Sequence, residues 1–329
     1  VASLEVSSAL ALPSAASFAV GVAVDPLFAT ELFRIGRWRC VVGPSESTAI
    51  QAQRWPMISF THAGAFVVHS GGRSAVIDPT CTLLINPGAP YRMSRHFGER
   101  SHGAYVLVRP DVFADVARTA SEARAEGFAG IEGPSSTRSY LLQRSLLDRI
   151  RSVPGPDALE VDEMAMALVE AAFRPRGRAD SEVTPRQRAR IDRARALILE
   201  NLSAPLKLDD VARGIALSPF HLCRLFRRST GRTLHRYRTA LRLRIALERI
   251  ADPGIDLAAL SLELGYSSHS HFTAAFRKEF GVSPSKIRGR GNAERLRALI
   301  REWDAGPAFP CREPPEPSRK KESGQLSST

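Results

Sequence analysis

Between Ile58 and Val108 the apolar residues come in short runs punctuated by turn residues, and beyond that point they recur at every third or fourth position. In the first region Ile58-Ser59-Phe60-Thr61 alternates and Phe66-Val67-Val68 follows, then Ser70-Gly71-Gly72-Arg73 reads as a hairpin turn before Ala75-Val76-Ile77. Residues 81–85, closed by Asn86-Pro87-Gly88, and residues 105–108 read as further strands. Several short strands at this spacing predict a small β-barrel or sandwich rather than a parallel sheet.

The 3.6-residue period predicts helices over 111–119, 138–152 and 157–173, with Leu141, Leu142, Leu146 and Ile150 on one face of the second. Those faces either cover the sheet or form a dimer seam; a homodimer is expected, with the faces of 138–152 and 157–173 as its seam. Residues 174–181, Arg-Pro-Arg-Gly-Arg-Ala-Asp-Ser, have no period and read as a linker. Thr184-Pro185 then offers an N-cap and first helical residue for a helix to about Leu202. Further helices are expected over 208–215, 218–228, 234–250, 257–264 and 268–280, and a short one over 292–303 before a Pro/Ser/Lys-rich tail expected to be disordered.

Charge changes the picture because of where it lies. The chain of 329 residues has a formal net charge of +12; residues 186–290 hold 21 Lys+Arg against 9 Asp+Glu, while the rest holds 25 of each sign. A neutral body with one basic module suggests a polyanion as that module's partner, nucleic acid first and an acidic membrane second. Cys40, Cys81, Cys223 and Cys311 are far apart with no CxxC pair, which points to reduced thiols rather than a zinc site. The apolar stretch 4–24 lacks a basic n-region and is interrupted by Pro13, so it is not read as a secretion signal. No run reaches the roughly 18 to 20 apolar residues of a bilayer span, and the cytoplasm is the expected location, with no membrane partner.

Two parts of the basic module repeat one another. Leu208, Val211, Ile215 and Ser218 match Leu257, Leu260, Leu264 and Ser267 at an offset of 49, and Leu222, Phe226, Arg227 and Gly231 match Phe272, Phe276, Arg277 and Gly281 at 50. Each copy reads helix, tight turn, helix, the second helix opening on Ser218-Pro219 or Ser267-Ser268. Phe220, His221, Cys223 and Arg224 are left outward in the first copy, and His269, Ser270, His271, Thr273 and Ala274 in the second. A helix-turn-helix presents such positions to the major groove, and two copies joined by a long helix allow entry to successive major-groove faces roughly 34 Å apart.

Here the chain resembles the AraC/XylS family of bacterial transcription regulators. The resemblance rests on Leu-Asp-Asp-Val-Ala at 208–212, Ser-Pro-Phe-His-Leu-Cys-Arg-Leu-Phe at 218–226 and Leu-Gly-Tyr-Ser-Ser at 264–268, and runs on through Ser-His-Phe at 270–272 to Phe-Arg-Lys-Glu-Phe-Gly-Val-Ser-Pro at 276–284. It implies a bipartite DNA-binding domain behind a cupin-like domain for effector binding or dimerisation. The expected fold is α+β with two domains: an N-terminal cupin-like β-barrel with trailing helices and a C-terminal all-α domain with two helix-turn-helix motifs. The expected divisions are a poorly ordered 1–30, a cupin-like domain over 31–173, a linker over 174–183, the DNA-binding domain over 184–290, and a short helix with a disordered tail over 291–329. Base contacts are expected from Phe220, His221, Cys223, Arg224, His269, Ser270 and Thr273, and phosphate contacts from Arg227, Arg228, Arg277 and Lys278. By the resemblance Arg224 occupies the family's base-contacting position, whereas the second copy has Ala274 there.

The expected function is a sequence-specific, DNA-binding transcription regulator modulated by a small-molecule effector, with double-stranded DNA as partner and RNA polymerase as a further one. No residues are assigned to an effector pocket. The competing reading is a cupin-type metal-dependent isomerase or oxygenase with a DNA-binding appendage. Against it, the first domain has no His-x-His pair, and Tyr91 and Arg92 follow the Asn86-Pro87-Gly88 turn where a ligand is wanted. His62 and His69 have opposite parity along one strand, and His96 and His102 fall in an expected loop. No enzyme, metal or cofactor is therefore expected.

Overall fold

The computed structural model describes residues 21–41, 43, 46–120, 127–152, 156–173, 183–288, 296, 298 and 300. Its first half is an eight-stranded antiparallel sheet: β1 (Val22–Ala29), β2 (Phe33–Cys40), β3 (Gln51–Ala52), β4 (Met57–Ser70), β5 (Arg73–Ile77), β6 (Cys81–Ile85), β7 (Pro90–Val108) and β8 (Glu132–Pro134), in the order β1-β2-β7-β4-β6-β8 with β3 on β7 and β5 on β4. Trp38 and Cys40 of β2, Met57, Phe66 and Val68 of β4, and Tyr105 and Leu107 of β7 form one apolar cluster, so the sheet curls round its own filling. The other parity, Phe33, Ile35, Ile58, Ala104 and Val106, packs against helices. With both faces covered, strands such as Cys81–Ile85 are buried throughout and read as unbroken apolar runs.

Three expectations change here. Residues 22–29, assigned to a poorly ordered terminus, form β1 in register with β2 from Val22↔Cys40 onward; the earlier residues of that segment lie outside the described ones. His96 and His102 stand in β7, a 19-residue strand, rather than in a loop, because β4 gives it a partner along its length. The β4–β7 register also shifts at Thr61/Ala63, Ala63/Ala65 and Phe66/Val67. Alternation is out of step across those bulges, so His62 and His69 share the outer face: Ile58 and Phe60 lie with the helix-facing cluster, but Phe66 and Val68 with the interior.

Helices α1 (Pro110–Ala120), α2 (Thr137–Ser152) and α3 (Ala158–Phe173) cover that outer face. Leu141, Leu142, Leu146 and Leu147 of α2 and Val161, Ala165 and Leu168 of α3 are all at most 6% exposed and join the sheet's core. The apolar face of α2 expected as part of a dimer seam is thus spent within the chain, whereas on α3 Leu159 remains 66% exposed and Met164 and Phe173 half-buried. Apart from Val183, which is buried, the expected linker over 174–183 lies outside the described residues, as do most of the expected C-terminal helix and the tail; Leu296 and Ile300 are described, and both are buried.

The second half is helical: α4 (Pro185–Glu200), α5 (Leu208–Gly214), α6 (Pro219–Thr230), α7 (Leu234–Ile250), α8 (Leu257–Glu263) and α9 (His269–Phe280), followed by a 3-10 turn at Pro284–Ile287. The α5–α6 pair closes its own core with α4 and α7 through Ile191, Ile198, Val211, Leu222, Phe226 and Leu241. The α8–α9 pair belongs instead to the apolar cluster that includes Leu247 of α7, Leu146 of α2 and Val106 of the sheet.

Buried polar contacts fasten α4 and α7 to the sheet. Asp78, fully buried after β5, accepts hydrogen bonds from Arg195 Nη2 of α4 (2.6 Å) and Tyr237 Oη of α7 (2.6 Å). Arg244 Nη2 donates to the Ser135 carbonyl (2.6 Å) and its Nη1 to that of Pro79. Glu248 accepts from Tyr140 Oη (2.8 Å) and Arg144 Nη1 (2.7 Å) of α2 and lies 3.7 Å from His62 Nδ1. Burial works to raise the Asp78 pKa, but the Arg195 charge and the hydrogen bonds of Tyr237 and Thr80 outweigh it and hold the carboxyl below its ordinary value. Burial pushes His62 down to about 4, with Glu248 opposing.

Candidate nucleic-acid interface

The two helix-turn-helix copies are built by the same local rules. α6 starts where Ser218 Oγ accepts from the His221 amide (3.3 Å), and α9 where Ser268 Oγ accepts from the His271 amide (3.1 Å). α6 ends on Gly231 (φ 71°) and α9 on Gly281 (φ 80°), left-handed caps that favour glycine. Leu222 and Phe226 of α6, like Phe272, Phe276 and Phe280 of α9, are 0% exposed. Burying that stripe fixes which side chains face solvent.

On α6 these are Phe220, His221, Cys223, Arg224 and Arg227, with Arg228 half-buried; Phe220 is 71% exposed, a large apolar ring left in water at the helix start. On α9 they are His269, Ser270, His271, Ala274, Arg277 and Lys278, with Thr273 half-buried. Phe220, Cys223, Arg224, Arg227 and Arg228 line one groove of about 910 Å³, floored by Ile198, Leu206, Leu208, Val211 and Leu234. The described residues that line it include the cations Lys207, Arg224, Arg227, Arg228 and Arg238, and no Asp or Glu is among them. Such a surface attracts a polyanion and offers Arg224 as a forked donor.

His221 lies outside the groove, its Nδ1 2.9 Å from Ser218 Oγ. His271 Nδ1 is 3.2 Å from Ser267 Oγ, and His269 Nε2 is 3.5 Å from Thr273 Oγ1. The histidines are therefore engaged locally around the helix starts. Sequence reasoning missed Lys207, His235 and Arg238, which reach the α6 groove from the start of α5 and the first turns of α7. The signal for His235 and Arg238 was the Thr233 cap, which starts α7 shortly after α6 ends at Thr230; Lys207 had none.

In the first half, His62 holds Gln143 Oε1 at 3.1 Å and faces Glu248, so both ring nitrogens point at protein partners. Among the described residues no group of three or more His, Cys, Asp or Glu is placed to hold a metal ion, and no helix is long and apolar enough to cross a membrane.

Two family models match the chain: an AraC-like ligand binding domain over residues 56–174 and a helix-turn-helix domain over 211–290. The regulatory protein SoxS of Salmonella typhimurium is 34% identical over 91 residues, which are 28% of this chain and 85% of SoxS. The Msm operon regulatory protein of Streptococcus mutans is 29% identical over 101 residues, 31% of this chain and 36% of that protein. The regulatory protein ada of S. typhimurium is 30% identical over 143 residues, 43% of this chain and 40% of that one. The chain thus spans about two fifths or less of those last two relatives.

Proposed function

The chain belongs to the AraC family of transcription regulators, and on that premise we propose that it reads duplex DNA with α6 and α9 while its sheet domain answers to a small-molecule effector. The observation that carries the reading is the repeat itself. Two helices with matching caps and matching buried stripes each turn a polar, basic face to solvent, inside the segment that holds the whole charge excess. Phe220, Cys223 and Arg224 serve the first base-reading surface and His269, Ser270 and Thr273 the second, with His221 at the rim. Arg227, Arg228, Arg277 and Lys278 serve phosphates. A homodimer, contact with RNA polymerase, a cytoplasmic setting and the lack of catalysis belong to the same reading. So do the divisions at 174–183 and 184–290. The seam of such a dimer lies elsewhere than on the buried face of α2, and the exposed Leu159 of α3 is open to it.

The test is a salt titration of full-length protein on duplexes recovered from a randomised library. Four cations neutralising one phosphate each give a logarithmic slope of roughly 3.6. Affinity independent of salt, or no enrichment of any sequence, overturns the reading.

A further inference from the structure

Arg238 and Arg242 stand one turn apart on α7, and both reach the loop joining α4 to α5. Arg242 donates to the Leu202 carbonyl from Nε (2.8 Å) and Nη2 (2.6 Å). Arg238 donates to the same oxygen from Nε (3.1 Å) and Nη2 (3.0 Å), and from Nη2 to the carbonyls of Asn201 (3.1 Å) and Ala204. Carbonyls just past a helix C-terminus have no partner within the helix, and a guanidinium supplies several donors in a fixed plane. The turn between α8 and α9 closes on the same place. Gly265 has φ +75°, a Cβ there would overlap the Ser203 carbonyl oxygen, and Arg242 Nη2 would lie 2.5 Å from it. The neighbouring Tyr266 ring sits 5.5 Å from the Arg242 guanidinium.

Three parts of the helical domain meet at this point: the backbone that leads into α5 and α6, the helix that joins the two copies, and the turn that leads into α9. We propose that Arg242, with Arg238 and Gly265, fixes the separation and angle of the two recognition helices and so sets the half-site spacing the protein accepts. These are positioning residues. Arg238 also lines the α6 groove, whereas Arg242 does not, so Arg242 is the residue to test. One added base pair moves the second half-site by about 3.4 Å along the duplex and about 35° around it, a change that a rigid pair of heads resists and a loosened pair follows.

The inference rests on two-headed DNA reading, and the experiment separates its failure from that of the reading. Full-length wild type, Arg242→Ala, Arg242→Lys and Gly265→Ala are measured on the library-selected duplex and on versions with one base pair inserted or deleted between the half-sites. Thermal melting checks that each variant is folded. Wild type is expected to lose roughly tenfold in affinity per displaced base pair. Folded Arg242→Ala is expected to bind the optimal site more weakly, to bind the displaced sites within about twofold of it, and to keep its base preference in each half. Arg242→Lys should restore part of the discrimination, and Gly265→Ala, where folded, should lose it. A folded Arg242→Ala that is weakened equally at every spacing, or keeps the wild-type discrimination, overturns the proposal alone. A wild type indifferent to spacing overturns two-headed reading and the proposal with it.

Discussion

Arg224 and Ala274 occupy equivalent places in the two copies, and both are exposed. A forked donor pair on guanine O6 and N7 discriminates by about 1 to 3 kcal/mol, while a methyl group offers only apolar contact. Arg224→Ala is therefore expected to relax base preference at one position of the first half-site, and Ala274→Gly to change little; binding selections on a randomised site measure both. His62 makes a different prediction at the same scale. It titrates near 6.5 unfolded and, held neutral by burial, at about 4 folded. A depressed folded pKa means that the unfolded chain binds more protons across this window, so stability is intact above about 6.5 and falls as pH drops toward 4, by on the order of 3 kcal/mol. Asp192 slopes the other way, since burial raises it to about 7 and its contribution is lost as pH rises through that value. Urea unfolding of wild type against His62→Gln cancels Asp192. The variant should gain on wild type progressively below pH 6.5, and a constant difference would refute the assignment.

At the scale of elements the helices were legible in detail. α7 has the expected bounds, and the caps at Thr184, Ser218 and Ser268 stand where the sequence puts them, because a cap is a local event between residues two or three positions apart. What covers an amphipathic face is not local. The stripe of α2 was consistent with a dimer seam and with a covered sheet, and Leu142 at 6% exposure and Leu146 at 1% belong to the latter. Leu142→Glu is accordingly expected to unfold the protein rather than to split a dimer, since an unpaired charge would be placed in the core; circular dichroism alongside sedimentation distinguishes the two. β4 and β7 were read only in fragments, since bulges between Thr61 and Val67 break the alternation on which strand reading depends.

In the whole molecule, the segment that carries the proposed DNA-reading surface is not self-contained. Arg195, Tyr237, Arg244 and Glu248 find partners on the sheet and α2, and the cluster around Phe272 and Leu247 continues into them. Residues 183–290 alone should keep salt-dependent duplex binding, because the recognition surfaces and their charge lie within that segment. They should also unfold at lower urea than the full chain, having lost those buried pairs and that apolar cover; equal midpoints would show that the docking adds no stability. The repeat, its caps, its outward polar positions and the location of the +12 charge could all be read from the sequence, since each depends on short spacings or on counting. Tertiary structure alone decided that Asp78 meets Arg195 across 117 positions, that His62 is enclosed by α2 and α7, and that Lys207 and Arg238 join the α6 groove. Such meetings depend on how faces far apart in the chain bury one another, and no local period records the partner.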